Sequence, residues 1–185
     1  MTDVPATLLA QSFHPDVLVL TWLMFGGIPL VIGLLTIHLM ARKIQDDTGK
    51  GLGLWATGLS AGLVGILAPA IWLTWSGYHE TPLDFYLPAP TRFPEWQIAA
   101  LAVTYFIPII VLAVKMRRPF VGAFALAMGG GIGSSTAMIV DVAFIDTTSQ
   151  EGIGVVLALV GVGLLTLMVG EMIGIPRGVR AGLKR

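Results

Sequence analysis

Three ionisable side chains stand inside or at the ends of long apolar segments of this sequence: His38, Asp141 and Glu171. Such residues are costly to bury in a lipid environment and usually mark function or a buried pair. The positions of His38 and Glu171, near the basic ends of their segments, predict that both meet lipid headgroups or form a structural ion pair. Asp141 lies near the opposite end of its own segment. At a rise of 1.5 Å per residue, Asp141 and Glu171 are separated by roughly the full membrane thickness, which excludes a shared proton.

A strip of small and polar residues leads to Asp141. Ser134, Met138 and Asp141 follow the three- and four-residue spacing of one helix face, above the glycines Gly130 and Gly131. The spacing predicts an interfacial carboxylate in water or one bonded to a neighbouring helix. The alternative is the wall of an outward-facing cavity.

A weak set of metal-binding candidates consists of His14, His79, Glu80 and Asp141. Imidazole and carboxylate groups bind copper, zinc or iron. The adjacent pair His79 and Glu80 does not have the spacing of ligands on one helix face, and His14 is distant in sequence. We therefore expect solvated loop residues, with a metal site as the alternative.

No cofactor is predicted within this chain alone. The sequence has no cysteine, which removes thiolate metal sites, iron–sulfur clusters and cysteine nucleophiles. A haem in a helical bundle is typically held by histidines within the helices, and only His38 comes close to such a position. Phosphate-binding, metalloprotease and nucleophile-elbow motifs are absent from the sequence. No catalytic residue is predicted, and an enzyme acting by itself is the less favoured interpretation.

The elements that must carry these residues are five long apolar runs. The 185 residues are 55% apolar and only 12% charged, about half the charged fraction of a soluble domain. Each run has roughly the 18 residues that a helix needs to cross a bilayer. We predict an all-α integral membrane protein, a single membrane domain spanning residues 1–185, with transmembrane helices at about 17–41, 51–78, 97–114, 119–143 and 152–174 and a long outer loop at 79–96.

The distribution of positive charge predicts the orientation. Ten of the eleven Lys and Arg residues fall in three segments: Arg42, Lys43 and Lys50, then Lys115, Arg117 and Arg118, then Arg177, Arg180, Lys184 and Arg185. Cytoplasmic loops retain Lys and Arg, so the N-terminus is predicted outside, the C-terminus inside, and the location is the plasma (inner) membrane. Trp72, Trp75 and Trp96 are expected at the outer interface and Trp55 at the inner one.

Small residues predict which helices pack most closely. Glycines and alanines recur at four-residue spacing in the second, fourth and fifth runs: Gly58 and Gly62; Ala125, Gly129 and Gly133; Gly154 and Ala158, then Gly170 and Gly174. Such faces let helix backbones approach each other in lipid. Pro29, Pro69 and Pro108 lie within the first three runs, where each can kink its helix.

Three functions compete. The first is a non-catalytic integral membrane subunit of a larger complex, with a respiratory or other redox assembly as the first candidate. It would dock on other integral membrane subunits through small-residue faces and the loop 79–96, which contains Pro82, Pro88, Pro90 and Pro94. The second is a transporter or channel component for a small solute or cation. The third is a membrane enzyme with a metal site at the outer face. A net charge of zero argues against nucleic-acid binding, and the lipid bilayer is the expected surrounding.

Overall fold

The computed structural model describes residues 13–74, 93–143 and 149–182, and within them the chain is all-helical. Five helices are long and apolar enough to cross a membrane. We label them α1 to α5 in chain order: Pro15–Lys43, Leu54–Leu73, Glu95–Lys115, Pro119–Val142 and Gly152–Val179. Residues 79–92 of the predicted outer loop lie outside the described residues, as do the N-terminal residues 1–12.

Three of the five helices contain a π-helical turn. In α1 it covers Leu23–Gly27 and ends two residues before Pro29, and at the end of α2 it covers Ala70–Thr74, directly after Pro69. A proline lacks the backbone N–H that an α-helical turn requires, and a π turn is one way of accommodating the change. Pro108 lies inside α3 without such a turn. The third π turn, Ala158–Val162 in α5, has no proline within it.

Helix α4 is the centre of the bundle. It packs against each of the other four helices. In its most apolar stretch 56% of the residues are buried, compared with 11% in α1 and 11% in α5. The sequence of α4 permits this because seven of its residues are glycine or alanine between Ala123 and Gly133. Helices α1 and α5 therefore pack on one side and leave long apolar faces uncovered.

The three basic segments meet at one end of the bundle, as predicted. Backbone hydrogen bonds join Leu52, before α2, to Lys115, the last residue of α3, and to Arg117, which follows it. The guanidinium of Arg177, in α5, donates to the carbonyl oxygens of Ala113 and Met116 at 2.9 and 3.2 Å. We call this the basic end. Trp55 is at this end, at the start of α2.

The opposite end carries the aromatic residues. Trp72 and Trp96 are in edge-to-face contact there, with ring centroids 6.1 Å apart. The side chain of Gln97 donates to the carbonyl oxygen of Trp72, which ties α3 to the end of α2. Trp72 and Trp96 thus lie at the same end of the bundle, and their place at the outer membrane interface stays a prediction. Trp75 lies outside the described residues.

Candidate functional site

Glycines bring the backbones of α2 and α4 into direct contact. A methyl group added at Gly129 would come within 2.1 Å of the carbonyl oxygen of Gly58, and one at Gly133 within 2.3 Å of that of Gly62. Contacts of this kind need residues without a side chain. The interface is therefore set by backbone atoms, which cannot move aside.

Helices α4 and α5 approach each other in the same way. A Cβ atom at Gly131 would lie 2.6 Å from the carbonyl oxygen of Leu159, and one at Gly174 would lie 2.7 Å from that of Pro119. The prediction that the second, fourth and fifth spans pack most tightly is confirmed. Most of the small residues on which this prediction was based contact other helices of the same chain.

The basic end is organised around Asp46, whose side chain is 2% exposed. One carboxylate oxygen accepts a hydrogen bond from Arg118 Nε at 2.8 Å. The other accepts from the backbone N–H groups of Phe120 and Val121 at 2.8 and 3.0 Å. These N–H groups belong to the first turn of α4 and have no partner within their own helix. Asp46 therefore caps α4 from the segment that follows α1.

Arg118 extends this connection back to α1. Its Nη2 group donates to the carbonyl oxygen of Ala41 at 3.0 Å and also to that of Ile44. These carbonyl groups lie at the end of α1, where helical carbonyls lack intrahelical partners. One arginine and one aspartate thus satisfy the end of α1 and the beginning of α4 together.

A second ion pair at the basic end is exposed. Arg117 Nε donates to Asp47 Oδ1 at 2.8 Å, and the two side chains are 46% and 41% exposed. The hydrogen bond from Arg117, followed by one from the backbone N–H of Gly49, holds the pKa of Asp47 below its ordinary value of 3.8. The same bond raises the pKa of Arg117.

One polar contact crosses the middle of the bundle. Tyr105 Oη in α3 and Thr166 Oγ1 in α5 are 2.7 Å apart and buried. They face Gly130 of α4, where an added Cβ would come within 2.3 Å of the tyrosine oxygen. The Ser134 hydroxyl is buried one turn further along α4, with no partner in hydrogen-bonding geometry among the described atoms. The small and polar strip of α4 that leads to Asp141 is therefore covered by neighbouring helices at the level of Ser134.

The other hydroxyl groups near mid-depth bond mainly to their own helix. Thr104 donates to the carbonyl oxygen of Ala100, and Ser135 and Thr136 donate to that of Ile132, at 2.7 to 2.9 Å. Hydroxyl groups satisfied in this way offer little to a polar solute. Thr136 makes one further bond, since Trp22 Nε1 of α1 donates to its oxygen at 3.2 Å.

A cavity of about 620 Å³ lies between α1 and α2, with α4 as its floor. We call it the lateral groove. It extends from Trp22 and Thr136 at one end to Ala41 and Leu54 at the other. Leucines of α1 and α2 form its walls, and Gly129 and Met128 belong to its floor.

Two of the predicted site residues lie at the basic end. His38 is exposed and lines the lateral groove. Glu171 is partly exposed on α5, one turn from Gly174, which packs on Pro119 at the start of α4. Within the described part of the chain, no ion pair joins His38 to Glu171. Headgroup contact remains the prediction for both.

The predicted outer residues lie at the other end where they are described. The backbone N–H of His14 donates to the carbonyl oxygen of Ala143 at 2.9 Å. This bond brings His14 beside the last turn of α4, which contains Asp141. Asp141 and Glu171 are thus at opposite ends of the bundle, as predicted. The side chain of Asp141, and His79 and Glu80 entirely, lie outside the described residues.

No group of three or more His, Asp or Glu side chains that could hold a metal occurs in residues 13–74, 93–143 and 149–182. Since three of the four candidates fall outside the described side chains, the metal site at the outer face stays a prediction. What the structure adds is the proximity of His14 to the end of α4, which sequence distance did not indicate.

Sequence reasoning missed Asp46 and the lateral groove. A signal for Asp46 was present: Asp46 and Asp47 are two carboxylates within an otherwise basic segment, and α4 begins at Arg118-Pro119 without an acidic or hydroxyl cap. The groove left no signal of this kind, because its lining residues are ordinary components of apolar helices.

These helices define the architecture of a multi-pass membrane protein. Comparison of the chain with protein-family models, with curated proteins and with solved structures finds no match.

Proposed function

We propose that this chain is a non-catalytic integral membrane subunit of a larger membrane complex, with a respiratory or other redox assembly as the first candidate. The supporting observation is that polar groups at mid-depth of the bundle find their hydrogen-bond partners mainly within the bundle. Among the described residues most of them bond to each other or to their own helix, as Tyr105 does with Thr166, although the buried Ser134 hydroxyl does not. No carboxylate, amine or imidazole of the described part lies there. A tightly packed bundle whose mid-depth polar groups are mostly satisfied from within is suited to a scaffold.

The uncovered apolar faces supply surfaces for other subunits. In α1, Val31 and Ile32 are 67% and 60% exposed, and in α5, Met172 is 74% exposed. Lipid covers such faces equally well, so their exposure by itself does not select a partner. Because the glycines of α2 and α4 are already occupied, docking would use these faces together with the loop 79–96.

The proposed orientation has the N-terminus outside and the C-terminus in the cytoplasm, in the plasma (inner) membrane. It rests on the basic end, where Arg42, Lys43, Lys50 and Lys115 are exposed. Tags at the two ends should be accessible to protease from opposite sides of sealed vesicles. Accessibility from one side would contradict the five crossings.

Isolation from the native membrane tests the subunit proposal. The tagged chain, extracted in a mild detergent, should co-purify with other membrane chains in fixed proportion and in a particle heavier than its own 19.6 kDa. The variants Ile32→Trp and Met172→Trp form a matched pair on two exposed faces. Loss of companions from one variant only would locate the docking helix. A lone monomer without companions would contradict the proposal.

The transporter or channel component is the alternative. An acidic outer rim would attract cations. Three of the mid-depth hydroxyl groups that could have received a solute, those of Thr104, Ser135 and Thr136, are engaged in bonds to their own helix. Solute flux into liposomes that contain this chain alone would favour transport. Stoichiometric metal in washed protein would favour the third candidate, a membrane enzyme with a metal site at the outer face.

A further inference from the structure

We propose that the lateral groove binds one hydrocarbon chain of a membrane lipid that has an anionic phosphate headgroup, with the phosphate at the basic end. This inference concerns a ligand site and is independent of whether the chain is a subunit of a complex.

The shape of the groove fits a hydrocarbon chain. It follows α1 from Trp22 to Ala41, which are 19 residues apart and therefore about 28 Å at 1.5 Å per residue. Its 620 Å³ are spread over that length as an elongated opening between α1 and α2, which suits an extended hydrocarbon chain.

The lining is apolar along most of this length. Leu30 and Leu34 of α1 face Leu59 and Leu63 of α2 across the groove, and Ile132 of α4 contributes to the floor. The leucines are exposed by 36% to 66%, so they present apolar surface rather than a closed core. A cavity of this kind is filled by hydrocarbon in a bilayer.

The two ends of the groove differ in charge. The far end is closed by Trp22 and Thr136, which bond to each other. At the basic end, His38 lines the groove, and Arg42 lies one turn further on the same helix face. Arg42 is exposed and makes no ion pair with any described residue. Trp55 forms the other side of this opening and is 70% exposed.

The positive charge at the basic end of the groove favours a lipid with an anionic headgroup. Positive residues at a membrane surface attract anionic lipids, with an effect of about 1 kcal/mol for each Lys or Arg, or about fivefold in affinity. The basic end also carries Arg117, Arg118 and Arg177, but these bond to aspartates or to carbonyl groups. Arg42 is available for a phosphate, and His38 can donate a second hydrogen bond.

The test measures lipid binding to the full chain in detergent micelles by native mass spectrometry. The probes are dioleoyl phosphatidylglycerol, dioleoyl phosphatidylcholine and glycerol 3-phosphate. We expect one phosphatidylglycerol to be retained, with phosphatidylcholine bound about fivefold more weakly. Glycerol 3-phosphate should not bind measurably. Equal binding of glycerol 3-phosphate would show a phosphate site without a chain site and would overturn the proposal.

Substitutions in the groove locate the chain. Leu34→Trp and Leu59→Trp fill the groove from its two walls, and each should weaken phosphatidylglycerol binding at least tenfold. Leu35→Trp is the matched control, because Leu35 is the next residue of α1, is 58% exposed and does not line the groove. Equal effects of Leu34→Trp and Leu35→Trp would mean that lipid only surrounds the bundle, and would overturn the proposal.

Substitutions at the opening locate the headgroup. Arg42→Gln should weaken phosphatidylglycerol binding about fivefold and phosphatidylcholine binding less, because the choline cation already offsets the phosphate charge. Lys43→Gln is the control, since Lys43 is exposed but about 100° around the helix from Arg42. Equal losses from both variants would indicate general surface charge and contradict a defined headgroup site.

A photoreactive benzophenone amino acid at position 55, where it replaces a tryptophan that already lines the opening of the groove, distinguishes lipid from polypeptide. In native membranes it should label lipid. Labelling of a second polypeptide would place a partner helix in the groove and overturn this inference, while supporting the proposed subunit function. Lipid labelling without companion chains would support the lipid site and contradict the proposed subunit function.

Discussion

Helix α4 meets α2 and α1 by two different kinds of contact. Towards α2, glycine backbones touch along several turns, as at Gly129 and Gly58. Towards α1, the closest approach in the middle is made by a flexible side chain, because an added Cβ at Gly33 would meet the end of the Met128 side chain. Beyond that contact, α1 is held at the basic end by the Asp46–Arg118 pair. Towards its other end it is held by the Trp22–Thr136 hydrogen bond and by apolar packing of residues such as Phe25 against the cluster around Ile139.

The comparison shows what hydrogen bonds and close packing each contribute to this bundle. Lipid tails are as apolar as leucine, so helices in a bilayer gain little from apolar contact alone. Helix α2 is held by dense backbone packing along several turns, whereas α1 is held by a few polar bonds and by apolar packing of its first turns. A helix that is tethered at its ends can stand away from its neighbour in between, and the lateral groove is the space that results.

The largest expected effect separates the two interfaces directly. Gly129→Ala would place a methyl group 2.1 Å from a backbone oxygen of α2 and should destabilise the bundle by at least about 3 kcal/mol. Gly33→Ala would meet Met128, whose side chain can change rotamer, and should cost less than about 1 kcal/mol. Unfolding in mixed micelles gives both values. Gly161→Ala is the control, because Gly161 has no neighbour within 4 Å. Equal costs at Gly129 and Gly33 would break the comparison.

The next effect concerns the tether of α1 at the basic end. Asp46→Ala removes the cap of α4 and leaves the Arg118 guanidinium, which is 16% exposed, without its carboxylate. Removing one partner of a buried pair should cost about 3 kcal/mol in the free energy of unfolding. Asp46→Asn should cost less, since an amide oxygen can still accept from Phe120 or Val121. An Asp46→Ala variant with the stability of Asp47→Ala would show that the tether is unimportant.

A smaller effect is expected at the other tether. Trp22→Phe keeps the aromatic ring but removes the N–H that donates to Thr136, and should cost about 0.6 kcal/mol, the average for a hydrogen bond between membrane helices. Trp55→Phe serves as the control because Trp55 is 70% exposed. If a Trp22→Phe, Thr136→Val double-mutant cycle gives no coupling energy, the hydrogen bond does not hold α1.

The smallest effect is the pH dependence of the exposed pair. Since Arg117 lowers the pKa of folded Asp47 below 3.8, the carboxylate stabilises the fold above that pH, and the stabilisation is lost as the pH falls through the lower, folded value. Wild type should therefore be slightly more stable than Asp47→Asn at pH 7, and the two should converge in acid. A thermal melt series between pH 7 and pH 2 measures the difference. Divergence in acid would contradict this sign.

Much of the fold was predictable because its determinants are local. Hydrophobic length identified five helices, and the glycines at 58, 62, 129 and 133 identified their closest contacts. Helix bounds were less accurate. The first span begins at Pro15 and ends at Lys43, beyond the predicted 17–41, since charged residues can continue a helix past the hydrocarbon region.

The candidate site was predictable only in part. His38 drew attention because it is ionisable, but its position on the groove depends on how far α1 stands from α2. Asp46 lies 74 residues before the helix turn that it caps. No local pattern connects a carboxylate to backbone N–H groups at that distance.

The sequence by itself determined the class of this protein, the number of its helices and the collection of its basic residues at one end, because length, hydropathy and charge act residue by residue. The tertiary structure alone decided that Asp46 and Arg118 join α1 to α4, that Tyr105 bonds to Thr166, and that a groove separates α1 from α2. These features depend on the distances between helices, which are set where glycine backbones touch and where polar groups find partners far away in the chain.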